Sequence, residues 1–225
     1  APTEWPQHIL DLFPDRFVES ELGKIPKGWE VGCFGDIVEQ IRDSENPLAS
    51  QQTFFRHYSI PAFDDGQWPK TELGECIKSQ KSRVPPGTIL LSKLNPEIER
   101  VWLTDVGEGD KSVCSTEFLV LRPRTPFGQS FAYCFARSPK FRQEIQALVT
   151  GTSKSHQRAR PPAVMALPVV LPPRPLRELF EKTAAPLLGR TLSGRRESRT
   201  LASLRDTLLQ KLISGELRVP LPLAV

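Results

Sequence analysis

The sequence predicts an α+β (mixed α/β) domain followed by one long α-helix that pairs with another as an antiparallel coiled coil. Three observations carry this reading. From Trp29 to Pro173, short β-prone runs are each bounded by proline or glycine. The texture then changes at "PVVLPPRP", Pro168 to Pro175, because successive prolines neither continue a helix nor sit inside a sheet. Beyond that connector, leucines recur at spacings of three and four as far as Leu212.

Taken in order, residues 1–20 are a proline-broken lead-in without an initiator methionine, read as a processed or cut end. They carry a short apolar patch at Ile9, Leu10, Leu12 and Phe13. Residues 21–174 are the mixed domain. Phe54-Phe55, Thr88 to Leu91 and Glu117 to Leu121 are its clearest strand candidates, and Pro85-Pro86-Gly87 and Pro123 are turn signals beside them. Ser130 to Val149 has helical spacing, with Phe131, Cys134, Phe135, Phe141, Ile145 and Leu148 falling on one side.

The long helix is expected over residues 175–215, followed by a tail at 216–225. Pro175 suits a first helical turn and Ser214-Gly215 a stop, giving roughly 38 residues, or about 57 Å at 1.5 Å per residue. Leu176, Leu179, Phe180, Ala184, Leu187 and Leu188, then Leu201, Leu204, Leu208 and Leu212, form a seam that needs a partner to cover it. Helix pairing is assigned to Leu187, Leu201, Leu204, Leu208 and Leu212. Thr191, Gly194 and Ser198 weaken the middle of the seam, and Pro186 predicts a kink, with a helix-break-helix as the rival arrangement.

Charge is divided along the chain. Residues 1–150 hold 17 Lys and Arg against 21 Asp and Glu, whereas residues 151–213 hold 12 against 4. Positive potential therefore belongs to the last third, as suits a polyanion, although solvated helix faces are basic too. The four cysteines, Cys33, Cys76, Cys114 and Cys134, have no Cys-x-x-Cys pairing and read as small core hydrophobes rather than a zinc site or disulfide framework. No run of eighteen apolar residues and no signal segment is present, which leads to a cytoplasmic reading without a membrane partner.

The motifs of nucleic-acid enzymes are missing. There is no Gly-x-Gly-x-x-Gly or Walker loop, and no aromatic-ended Asn/Asp-Pro-Pro; Leu94-Asn95-Pro96-Glu97 has one proline and no aromatic. Pro14-Asp15 is not followed by the Glu-x-Lys of a metal-dependent nuclease. His8 lies in the lead-in, and His57 sits in an aromatic run that favours packing over metal ligation. "GTSKSHQRARPP" is different, because Lys154, His156, Arg158 and Arg160 alternate with small or polar residues. On an extended backbone those four would point to one side. Phosphate or guanine contact and a solvated basic loop are both compatible with that spacing.

Four strings carry a family resemblance. "FVESELGKIPKGWEV", "PPGTILLSKLNP", "GTSKSHQRARPPAVMALPVVLPP" and "ESRTLASLRDTLLQKLISGELRV" resemble, in order, signature segments of the specificity subunits of type I restriction-modification enzymes. The resemblance covers nearly the whole chain. It implies a target recognition domain entered through Gly23 to Trp29, with Trp29 as a core anchor, and a conserved helix closing the domain. Gln210 stands where many relatives have proline. Those subunits have two recognition domains and two helices, whereas this chain has one of each: half a subunit, either natural or cut from a longer protein.

The resemblance implies a non-catalytic module that recognises a DNA half-site and positions methyltransferase and restriction subunits. S-adenosylmethionine, ATP and Mg2+ would be held by those partners and no cofactor by this chain. Expected contacts to double-stranded DNA are Lys154, Ser155, His156, Arg158 and Arg160, then Lys78, Gln80, Lys81 and Arg83 in "KSQKSR", each with an alternative as surface charge. Arg195, Arg196 and Arg199 face DNA, partners or water. The uncovered seam implies a homodimer through the helix. The competing function is an assembly or scaffold protein that binds methyltransferase subunits without reading DNA.

Overall fold

The computed structural model describes residues 7–149 and 157–218. It divides into two units, Ala1–Ala184 and Ala185–Val225. In chain order the first unit begins with α1 (Gln7–Leu10) and a hairpin of β1 (Phe17–Ser20) and β2 (Gly23–Pro26). Then come β3 (Glu30–Cys33), α2 (Phe34–Ile37), β4 (Val38–Ile41), β5 (Ser44–Glu45), β6 (Phe54–Tyr58), α3 (Ile60–Asp64) and β7 (Lys70–Leu73). They are followed by β8 (Lys81–Arg83), β9 (Ile89–Ser92), β10 (Val101–Leu103), β11 (Ser112–Cys114) and β12 (Phe118–Pro123). The closing elements are α4 (Gln129–Ala136), α5 (Pro139–Ala147), α6 (Pro161–Met165), β13 (Pro168–Leu171) and α7 (Arg174–Ile213).

Two sheets form the core of the first unit. One is antiparallel, in the order β10-β9-β12-β4; the other has the order β5-β8-β11-β6-β7, with β11 and β6 parallel. Residues opposite one another share a face, so register defines the row Trp102, Leu90, Val120, Ile41 across the first sheet. That row packs with Tyr58 and Cys114 of the second sheet, Phe63 of α3, and Phe118. Helix α4 lies against β9, β10 and β12. With its sheet packed on both sides, β9 has no polar face: all four of its residues are buried.

The string Gly23 to Trp29 is a turn element. Gly23 closes the first hairpin at φ +87° and Gly28 redirects the chain at +85°, a region glycine enters without a Cβ penalty. Trp29 is only half-buried, which corrects the expectation of a core anchor, although its indole nitrogen is covered and without a hydrogen-bond partner. The next strand, β3, pairs antiparallel with β13, Val31 opposite Val170. Entry to the domain is thereby zipped to its exit, which corrects the connector expectation: Pro168 to Leu171, read as too proline-rich for a sheet, is one strand of a two-stranded sheet, and only Pro172-Pro173 separate it from α7.

Three further expectations are corrected. The helical stretch expected from Ser130 to Val149 is two helices, because Ser138 is extended, its hydroxyl caps the next helix by accepting from Phe141 N–H, and Pro139 takes the first turn. The helix-break-helix alternative is not observed: α7 runs from Arg174 to Ile213, Pro186 included. Of the four cysteines only Cys114 is buried; Cys76 is exposed and the other two are intermediate. Burial pushes the Cys114 thiol up to about 12, so it stays protonated and unreactive.

The first turns of α7 belong to the first unit. Glu181 accepts hydrogen bonds from the backbone N–H groups of Ser130 (3.2 Å) and Phe131 (3.0 Å), satisfying free donors at the start of α4. Phe180 meets Phe131 edge-on at 5.6 Å, and the Arg177 guanidinium lies 4.6 Å over the Phe127 ring. Gly128 leaves space for this contact, since a Cβ there would fall 2.0 Å from the Glu181 carboxyl carbon. In the second unit Leu187, Leu201, Leu204, Leu208 and Leu212 are all at least 40% exposed. Thr191, Thr200 and Thr207 donate to carbonyls four residues back, which satisfies their hydroxyls on the helix itself.

Candidate nucleic-acid interface

Strand β8 divides the string "KSQKSR" between two faces. Ser82 lies opposite Cys114 on the core side, so Lys81 and Arg83 stand on the outer face of the five-stranded sheet. There the register sets Arg83, Val113, His57 and Lys70 in one row across four strands, above a small apolar patch of Phe55, Ile77 and Val113. Gln80 donates to the Ser44 hydroxyl (2.9 Å) and Lys81 to the Ser79 hydroxyl (2.7 Å), while Lys78 is exposed. Arg83 donates to Glu45 through Nη2 (2.5 Å) and Nε (3.2 Å), and this contact raises its pKa.

The second candidate segment is clamped by its backbone. Asn95 N–H donates to the Gln157 carbonyl (2.8 Å), Ala159 N–H donates to the Lys93 carbonyl (2.9 Å), and Leu94 bridges Arg158. Ala159 is buried between exposed Arg158 and Arg160, so over these three residues the extended alternation is present. Arg158 forms a two-point fork with Glu117, Nε to Oε2 at 2.9 Å and Nη2 to Oε1 at 3.0 Å, and its pKa is raised by that hydrogen bonding. Arg160 precedes the first turn of α6. Lys154, Ser155 and His156 lie outside the described residues.

A short path of contacts connects one residue of each segment to the loop between β11 and β12. Ser82 pairs with Cys114, Ser115 follows and bonds back to the Tyr58 carbonyl, and Glu117, two residues on, holds Arg158. Ser82 and Arg158, about seventy-five residues apart in sequence, are thus each joined to the stretch from Cys114 to Glu117, while Arg83 and Arg158 are each paired with a carboxylate. Sequence reasoning did not find the two carboxylates, Glu45 and Glu117. They lie 38 and 41 residues from their arginines, and no local spacing signals such pairs.

His57 behaves as a packed histidine. Its Nδ1 is 2.7 Å from Glu72 Oε2, and its Nε2 is buried without a partner. Burial lowers its pKa below the usual 6.5; the bond to Glu72 opposes this, and Lys81 and Lys70 add to the lowering. The folded state then binds fewer protons than the unfolded state as pH falls below about 6.5. Stability is fully present above that pH and is lost as pH falls through the depressed folded value. Urea midpoints are expected to fall between pH 7.5 and 5.5, and His57→Gln to flatten that slope.

Comparison with known proteins points in one direction. No family model matches the chain. It is 25% identical to the type I restriction enzyme MjaIX specificity subunit of Methanocaldococcus jannaschii, over 93% of this chain and 52% of that protein. The HsdS subunit of Thermoanaerobacter tengcongensis superposes with a TM-score of 0.59 at 23% identity, covering 92% of this chain and 54% of the other. A structure from a study of complex assembly and conformational transition in the type I R-M system gives 0.61 at 23% identity, with 89% and 53% covered. The type I S subunit from M. genitalium gives 0.52 at 17% identity, with 83% and 46% covered. The chain spans about half the length of the curated relative it matches. In sequence and in fold, it is similar to one half of a type I restriction enzyme specificity subunit.

Proposed function

We propose that this chain is a non-catalytic DNA-specificity module of a type I restriction-modification system, reading one half-site and positioning a methyltransferase and a restriction subunit. The observation that carries this reading is the likeness to specificity subunits over nearly the whole chain. The exposure of Lys78, Arg83, Arg158 and Arg160 on the first unit supports it. Methylation and cleavage belong to the partner subunits in this reading, with their S-adenosylmethionine, ATP and Mg2+. A second copy of this chain supplies the other half-site, its α7 pairing antiparallel through Leu187, Leu201, Leu204, Leu208 and Leu212. Such an isologous pair reads a two-part palindrome whose spacer is set by the helices.

The test is co-production with a cognate methyltransferase subunit in a methylation-free host, with adenine methylation mapped across the genome. A two-part palindromic motif with a fixed spacer is the expected result. A stable complex that leaves no methylation would overturn the reading in favour of a scaffold that binds methyltransferase subunits without reading DNA.

A further inference from the structure

Among the described arginine–carboxylate pairs, Arg158–Glu117 combines two properties. Both guanidinium nitrogens on one side, Nε and Nη2, are engaged by the two oxygens of one carboxylate, and the side chain is still 51% exposed. Arg100 makes the same fork with Asp64, but at 9% exposure it is a core element. Arg83 places both of its donors on a single oxygen of Glu45, which leaves the plane of its guanidinium less constrained.

The geometry of the fork decides what remains available. With the Nε and inner Nη2 protons committed to Glu117, the end of the guanidinium still offers Nη1 and the outer Nη2 proton as two parallel donors. That edge matches the two acceptors, N7 and O6, that guanine shows in the major groove. The backbone beneath is fixed by the bonds from Asn95 to Gln157 and from Ala159 to Lys93, and by the burial of Ala159, so the donors are pre-aimed. The pair carries no net charge, and a carboxylate beside the guanidinium repels phosphate oxygens. A group meant only to hold the backbone gains nothing from that neighbour.

We propose that Arg158 reads a guanine in each half-site, with Glu117 as the positioning residue that holds its guanidinium in plane; this rests on the DNA-specificity reading above. The test uses the full chain with its methyltransferase subunit and maps methylated motifs for wild type, Arg158→Lys and Glu117→Gln. Lysine keeps the charge and loses the fork, and glutamine keeps the shape and loses the ion pair. Wild type is expected to show a guanine that both variants relax at that position alone, Arg158→Lys losing roughly 5- to 150-fold discrimination and Glu117→Gln less. An unchanged motif in Arg158→Lys, or a uniform loss of methylation at every site, would overturn the assignment and leave Arg158 as a surface or phosphate contact. If wild type itself yields no motif, the specificity reading fails and the assignment fails with it.

Discussion

Replacing Trp102 with alanine is expected to destabilise the first unit by about 3–5 kcal/mol, the usual cost of emptying a large buried aromatic site. Trp102 is 2% exposed and stands at the centre of the core between the two sheets. Tyr58, Phe63 and Phe118 meet it edge-on at 4.8, 5.4 and 6.2 Å, arrangements in which ring edges face ring faces and add to simple burial. The consecutive β6 and α3, and β12 from much later in the chain, would lose their common contact at once. A domain of this size is typically stable by only about 5–15 kcal/mol, so the variant falls near the limit of folding. Urea unfolding followed by tryptophan fluorescence or circular dichroism measures it; a loss below about 1 kcal/mol would mean that the site collapses onto the gap. Trp102→Phe, which keeps a ring in place, is expected to cost much less.

Changing Leu204 to glutamate is expected to abolish self-association while leaving the first unit's stability unchanged. Leu204 is 53% exposed in the single chain, so the substitution disturbs no packing within it. In the proposed pair of helices the same position is buried against the second copy. An unpaired carboxylate there costs about 3–5 kcal/mol, a weakening of more than a hundredfold. Sedimentation or light scattering at tens of micromolar should show a dimer for wild type and a monomer for Leu204→Glu. A wild-type monomer, or a dimer that survives the substitution, would move the pairing surface away from this seam. Leu208→Glu, one turn along, is expected to behave in the same way.

What was legible in the sequence follows from the range of the forces involved. Pro85-Pro86-Gly87 and the leucine spacing act over a few residues, through fixed φ angles, missing N–H groups and helical periodicity, so strand β9 and α7 were readable from the residues themselves, whereas the exit strand Pro168–Leu171 was hidden by its prolines, which a strand with only one neighbour tolerates. The break at Ser138-Pro139 was equally local, a capping serine before proline, but the apolar spacing of Phe131 to Leu148 runs straight across it and masked the signal. Trp29 and the cysteines show the limit of arguing burial from residue type: hydrophobicity says what a side chain prefers, and neighbours decide whether it is covered.

The sequence alone determined the basic character of the "KSQKSR" and "GTSKSHQRARPP" segments and the apolar seam of the helix, since charge and period are properties of the chain. Tertiary structure alone decided that Ser82 and Arg158 are tied to the two ends of the stretch from Cys114 to Glu117, and that β3 is zipped to β13. It also decided that Glu117 and Glu45 hold the two candidate arginines from 41 and 38 residues away. The physical reason is common to all three. Strand pairing and ion pairing over such separations depend on which loops close and in what register, and that is settled by the packing of the whole core rather than by any local preference.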